Sequence, residues 1–247
     1  MSDRAPPAGD TKVAETRFRP STSVVVPALN EQKTLRKTVI WTHDVLASQT
    51  DDHEIIIVDD GSTDDTGAIA DALSVELPSV RVIHTGRPSG YGGVLNTGFR
   101  QATKDVITII TADGEFLPTD IPKFLAEMQR TGADVVTSTV PNRPYPFYRK
   151  VLSWGWRRCI KTMIGECPTL EGLFLIRRTL FSELNVTSTS GMWAMELLIL
   201  ARRRGSTFAV IPTSLRPRED LRESKVANLA TIIKVFRDIL DLRRRLS

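Results

Sequence analysis

Cysteine, histidine and long apolar runs are all scarce in this chain, and each scarcity removes a class of protein. Two cysteines in 247 residues, Cys159 and Cys167, are too few for a disulfide scaffold and have no zinc-site spacing. Reduced thiols of a cytosolic protein are the expectation. The three histidines, His43, His53 and His84, fall singly near loops or strand ends and read as structural or solvated. No apolar run approaches the ~18–20 residues that a membrane-spanning helix needs. Residues 1–20 lack the apolar core of a signal peptide and read as a polar, Pro-bearing, disordered tail. Aromatic residues make up only 6% and do not interleave with basic ones as in an RNA-binding sheet, so no nucleic-acid motif accounts for the charge. That charge is small in total, at +4, but unevenly spread. Residues 1–142 have a balance of −7 and residues 143–247 a balance of +11, so the back half either meets an anion or presents a solvated basic surface.

What is present is an alternation of strand and helix. STSVVV (21–26), EIIIVDD (54–60), VRVIHT (80–85), DVITIITAD (105–113) and DVVTSTV (134–140) are continuous apolar or β-branched runs. Amphipathic segments between them read as helices, with Ser62, Thr63 and Asp64 as candidate caps of one and a Gly stop ending another. Such a pattern predicts a mostly parallel sheet flanked by helices, with ligands beyond the strand C-termini. In the back half, VLSWGWRRCIKTMIG reads as a helix, GLFLIRR as a short strand or strand–helix junction, and SGMWAMELLILARRRG as a helix with a Gly cap. STFAVIPTSL reads as a strand and VANLATIIKVFRDILDLRRRLS as a long final helix. With no repeat and no linker, a single domain over residues 21–247 is expected.

Four segments fall where this architecture places a ligand: PALNE (27–31), VDDGSTDDT (58–66), GYGG (90–93) and TADGE (111–115). Asp59 and Asp60 end a buried strand, where a carboxylate accepts hydrogen bonds from a base or ribose, or else organises a turn. Gly90, Gly92 and Gly93 open a helix, either to let a phosphate approach the backbone or as a plain loop. Asp113 emerges from a strongly apolar strand at the sheet's edge and is suited to a divalent cation bridging a pyrophosphate.

In this order, SVVVPALNE, IIIVDDGSTDDT, GYGGVLNTGFRQAT, ITADGEF, WAMELLILARRRG with AVIP, and RPREDLRESK resemble the family 2 glycosyltransferases of the GT-A nucleotide-diphospho-sugar transferase fold. The likeness is greatest to the dolichyl- and polyprenyl-phosphate mannose or glucose synthases and covers roughly residues 21–240. It implies a nucleotide-binding half (21–140) and an acceptor half (141–247). It implies that Pro27, Ala28, Leu29, Glu31, Asp59, Asp60, Gly90, Ala112 and Asp113 surround the nucleotide, and that Asp113 binds Mg2+ or Mn2+. Arg218, Ser224 and Lys225 are implied to contact phosphate, with Arg143, Arg149 and Ser153 on the acceptor side. Glu196 stands where the family keeps an acid.

The chain also departs from the pattern. Thr111 replaces the first acid of the Asp-x-Asp metal motif, leaving one anionic ligand fewer. Glu115 offers a shifted Asp-x-Glu pair with Asp113 if the strand continues, and is otherwise a loop residue. In PTLEGLFLIRR only Glu171 supplies an acid.

The implied reaction is inverting transfer of a sugar from a GDP- or UDP-linked donor to a polyprenyl or dolichyl phosphate, with Asp113, Arg218 and Lys225 at the departing diphosphate. A lipid-phosphate acceptor is already anionic and needs no base. A hydroxyl acceptor of a soluble molecule does, and Glu171 or Glu196 is the first choice. A catalytically degenerate nucleotide-binding domain is the further alternative that Thr111 raises. PYPFY (144–148), Trp154 and Trp156 are expected in the core rather than at a lipid surface, and the final helix against the domain or a dimer partner. With no spanning segment, the expected placement is cytoplasmic, peripheral to the inner face of the membrane when the acceptor is a lipid.

Overall fold

The apolar runs become strands because helices flank the sheet they form, as in β1 (Thr22–Ala28), where every residue but half-buried Pro27 is buried. A computed structural model describes residues 20–50, 52–141, 147–214, 216 and 229–246, with backbone alone at 147–152 and 229–232. Residues 1–19 of the predicted tail lie outside the described residues. After β1 come β2 (His53–Asp59), β3 (Val80–His84), β4 (Val106–Ile109), β5 (Val135–Thr139), β6 (Phe174–Arg177) and β7 (Phe208–Pro212). The helices are α1 (Leu35–Gln49), α2 (Thr66–Glu76), α3 (Tyr91–Gln101), α4 (Ile121–Thr131), α5 (Phe147–Ile164), α6 (Arg178–Ser182), α7 (Trp193–Arg203) and α8 (Leu229–Leu246).

The seven strands form one sheet in the order β3-β2-β1-β4-β6-β5-β7. Every pairing is parallel except those of β6, which runs antiparallel between β4 and β5. GLFLIRR is therefore both things its sequence allowed, a four-residue strand followed at once by α6. The reversal has a functional effect. It brings the residues just before β6 to the edge where the parallel strands end, and Glu171 donates its N–H to the Ser138 carbonyl there at 3.1 Å.

Helix boundaries follow local chemistry. Asp64 accepts the N–H of Thr66 at 3.0 Å to start α2. Gly132 ends α4 at φ 69°, and Gly205, at φ 80°, stands just past α7. Helix α3 lies close on the sheet: a Cβ on Gly98 would sit 2.4 Å from Val25 Cγ1. Next to it, Phe99 meets Trp193 edge-on at 4.8 Å and Phe181 at 5.3 Å, joining α3 to α7 and α6.

A second cluster unites Ile160 and Ile164 of α5, Met192 and Ile199 around α7, and Ile239 and Leu242 of α8. On α5 the inward stripe is Trp156, Ile160 and Ile164, at four-residue spacing. Trp154 is about 200° round the helix from Trp156 and is 67% exposed, so the expected core position of this residue is corrected. On α8 Ile233 and Phe236 are likewise exposed, while Ile239 and Leu242 are buried against the domain. No helix among the described residues is long and apolar enough to cross a membrane.

Substituting Gly98→Ala forces a methyl against stiff, fully buried Val25. The expected loss is about 1–3 kcal/mol of stability, read from the urea midpoint.

Candidate functional site

Sheet register aligns Ala28 with Asp59 and Asp59 with His84, so three neighbouring strand ends form one edge. The loops that leave β1 and β2 are tied together. Asn30, at φ 58°, accepts the Thr63 N–H at 2.8 Å through its side-chain oxygen and donates its own N–H to Ser62 Oγ at 2.9 Å. Glu31 donates its N–H to Thr66 Oγ1 at 2.7 Å. Pro27, Leu29 and Glu31 stay half-buried around this junction, while Ala28 is buried.

Both acids that end the second run are turned inward. Asp60 is 3% exposed; its Oδ1 accepts Ser89 N–H at 2.7 Å, Ser89 Oγ at 2.8 Å and Thr85 Oγ1 at 3.1 Å, and its Oδ2 accepts Gly90 N–H at 3.1 Å. Asp59 accepts Ser62 N–H on Oδ1 at 3.1 Å, and its Oδ2 lies 3.0 Å from His84 Nδ1. Burial pushes the Asp59 carboxyl upward, but hydrogen bonds from Ser62 and His84 outweigh it and hold it below the ordinary value. Each carboxylate already accepts internal hydrogen bonds, and contact with ribose or base would fall to its remaining acceptor capacity. Turn organisation, the other reading of the sequence, is what they do.

The glycine cluster packs closely against protein backbone. A Cβ on Gly92 would lie 2.6 Å from the Ser188 carbonyl oxygen, and one on Gly90, at φ 82°, would lie 2.8 Å from that of Thr189. These glycines admit the 188–190 backbone, with Gly92 donating its N–H to the Thr189 carbonyl at 3.2 Å. Helix α8 holds that loop from the other side. Asp238 accepts the Ser190 N–H at 3.1 Å, and the Lys234 ammonium reaches Gly90, 2.9 Å from where a Cβ would stand.

Glu196, a candidate base, is fully buried on α7. It accepts the N–H groups of Thr187 at 3.1 Å and Ser188 at 2.8 Å and pairs with Arg245. It positions the 187–190 loop and is in no place to take a proton from a substrate. Glu171 accepts the Val140 N–H at 3.0 Å and pairs with Arg157 at 2.6 Å, bridging the end of β5 to α5.

At the end of β4 the strand stops at Ile109, so the continuation that would align Asp113 with Glu115 is absent. The chain turns instead: Gly114 has φ 73°, and Asp113 Oδ1 accepts Thr111 Oγ1 at 2.6 Å and Glu115 N–H at 3.1 Å. Thr111 thus orients the carboxylate two residues after it. Ala112 is buried, and its carbonyl accepts Thr38 Oγ1 at 3.3 Å. Arg216 reaches back from the segment after β7, donating its N–H to the Glu115 carbonyl at 3.0 Å with its guanidinium 5.0 Å over the Trp41 ring.

Among the described residues no group of three or more His, Cys, Asp or Glu side chains forms a metal cage. Half-buried Asp113 and Glu115 nevertheless suit a hard cation that completes its shell with phosphate oxygens, the usual way Mg2+ is held. Of the phosphate-side candidates, Ser153 is half-buried on α5 and Arg149 belongs to the same helix through its backbone. Arg143, Arg218, Ser224 and Lys225 lie outside the described residues.

Two participants were not singled out in the sequence, and a third, His84, was read there as structural or solvated. Lys234 and Arg157 are reached only through tertiary packing. His84 was discoverable: it ends the third strand, one rung from Asp59, where the rule for strand C-termini directs attention.

A mostly parallel sheet with acidic loops gathered at one edge defines an α/β domain of the nucleotide-sugar transferase kind. The model of glycosyl transferase family 2 matches residues 23–194, and the chain belongs to that family; it is a glycosyltransferase. An uncharacterized glycosyltransferase of Mycobacterium tuberculosis is 29% identical over 203 residues, covering 79% of this chain and 85% of the relative. The dolichol-phosphate mannosyltransferase of Mycosarcoma maydis is 26% identical over 240 residues, covering 93% and 81%. Among solved structures, glucosyl-3-phosphoglycerate synthase of M. tuberculosis, in complex with Mn2+, UDP-glucose and phosphoglyceric acid, aligns with a TM-score of 0.69 at 22% identity, over 91% of this chain and 80% of that one. The fold is GT-A.

Arg245→Met leaves the Glu196 charge buried beside its two amide donors without its cation. The expected cost is about 3 kcal/mol in urea unfolding, with part regained by adding Glu196→Gln.

Proposed function

We propose that the chain transfers a sugar from a nucleotide-diphosphate sugar to a polyprenyl phosphate, assisted by Mg2+ or Mn2+. The observation that carries this reading is the engagement of both candidate bases. A hydroxyl acceptor needs a carboxylate free to remove its proton. Glu196 is fully buried against Arg245, and Glu171 carries Arg157 and a backbone amide. A lipid phosphate arrives already anionic and asks only for cations. Relatives named dolichol-phosphate and undecaprenyl-phosphate mannosyltransferases support the same acceptor class.

In this reading the donor's nucleotide lies over the Pro27–Glu31 segment and Ala112, with the 59–64 and 85–90 loops held beneath it. Asp113, oriented by Thr111 and the Glu115 amide, would hold the cation together with Glu115. When bound there, a divalent cation would supply positive charge against the departing diphosphate. Arg218, Ser224 and Lys225 are assigned phosphate contacts by the family's resemblance, and Arg143, Arg149 and Ser153 the acceptor. Displacement is single and inverting, as in the family's resemblance.

The surface formed by α5 and α8 suits this acceptor. Trp154, Ile233 and Phe236 are exposed, and Arg158, Lys161 and Arg237 are exposed on the same two helices. Apolar side chains beside cations favour an anionic lipid surface, at about 1 kcal/mol per basic residue close to it.

Two measurements test the reading. In calorimetric titration of GDP and UDP, Mn2+ should tighten binding of one nucleotide at least about tenfold (about 1.4 kcal/mol), and Asp113→Ala should abolish that difference. Absence of binding for both nucleotides, with or without metal, overturns the donor site. In flotation with vesicles, the chain should associate with phosphatidylglycerol and not with phosphatidylcholine alone. Trp154→Ala with Phe236→Ala should weaken association several-fold, while retention on neutral vesicles alone would discount the basic surface.

A further inference from the structure

We propose that His84, as an imidazolium, is a positioning residue for the donor-side turn 59–62, and that donor affinity falls as this imidazolium loses its proton. The inference rests on the nucleotide-site reading above and adds a control to it.

The geometry demands two protons on one ring. His84 Nδ1 lies 3.0 Å from Asp59 Oδ2, and Nε2 lies 3.0 Å from Asp71 Oδ1. Ionised carboxylates only accept, so each ring nitrogen must carry a hydrogen to satisfy its partner. A neutral imidazole has one N–H, and whichever tautomer forms turns a lone pair toward a carboxylate. The ring ties three elements together, since Asp59 ends β2, His84 ends β3 and Asp71 lies on α2.

The clamp continues into the turn. Asp59 uses its other oxygen to accept the Ser62 N–H at 3.1 Å, and Ser62 Oγ accepts the Asn30 N–H at 2.9 Å. Thus Asp71, His84, Asp59, Ser62 and Asn30 form one chain of hydrogen bonds from α2 to the loop after β1. Gly67 makes room for it: a Cβ there would stand 3.2 Å from Asp59 Oδ2 and 3.5 Å from His84 Cε1.

The charged groups around the ring are Asp59 from β2, Asp71 from α2 and Arg87, which lines the same cavity of about 650 Å3 beside β3. Hydrogen bonds to Asp71 and then to Asp59 raise the His84 pKa above its ordinary 6.5. The sign follows. A raised folded value means the stabilisation is complete below the ordinary value and is lost as pH climbs through the folded one. With its side chain 44% exposed, the ring exchanges protons with solvent.

The test uses the full chain and two-dimensional NMR across neutral to mildly alkaline pH, reading the His84 ring and the Ser62 amide together. The Ser62 resonance should move with the His84 midpoint, and Asp71→Asn should lower both midpoints in concert. GDP or UDP, whichever binds, should weaken about three- to tenfold through the same midpoint, the net worth of one typical hydrogen bond. A Ser62 amide indifferent to His84, or a midpoint unmoved by Asp71→Asn, overturns the clamp. A nucleotide affinity flat in pH while His84 titrates overturns the inference alone. Failure of both nucleotides to bind at any pH overturns the donor-site reading and takes the inference with it.

Discussion

Two adjacent carboxylates at the end of β2 set the arrangement of everything around the site. Burying them is costly unless donors surround them, and the donors come from three directions: the turn at Ser62, the 85–90 loop and the ring of His84. One dipeptide thereby fixes the loops after β2 and β3, and through Ser62 the loop after β1. Each loop on its own would leave backbone amides without partners. These acids face inward and tie the loops of this edge together, while Asp113 stands past β4, the strand on the other side of β1.

Much of the fold was legible because its signals are local. Runs such as VVV in β1 and IIIV in β2 cannot be solvated, and glycines at 132 and 205 punctuate helices by their backbone freedom. The antiparallel direction of β6 was not legible, since four residues carry no mark of which way a strand runs. Within the site, positions were readable and partners were not. Asp60 could be placed at a strand end, but its donors lie 25 to 30 residues further on. Glu196 could be identified as an acid on a helix, but its cation is 49 residues away and only packing of α8 brings it near. Trp154 was misplaced because a Trp-Gly-Trp pair does not say which indole the inward stripe takes.

The basic excess of the back half looks different once pairs are assigned. Arg157, Arg177, Arg203, Arg204 and Arg245 each answer an acid within the domain. Much of the arginine content is thus structural, joining helices across their ends. Among the described residues, exposed Arg158 and Lys161 lie on α5 and exposed Arg237 on α8, the two helices that also display apolar side chains. Charge asymmetry in the sequence combines internal pairing with an outward surface, and only the second part bears on an anionic partner.

The pairing of Arg245 with Glu196 also has a meaning in time. During synthesis the sheet strands and α7 leave the ribosome well before residue 245 does. Until then Glu196 stands in a forming core with an unanswered negative charge, which opposes its burial. The 187–190 loop, and the glycines that receive it, therefore settle only when the last helix arrives. A chain without α8 would lack the contact that Asp238 makes with the 187–190 loop and the cation that Arg245 gives to Glu196.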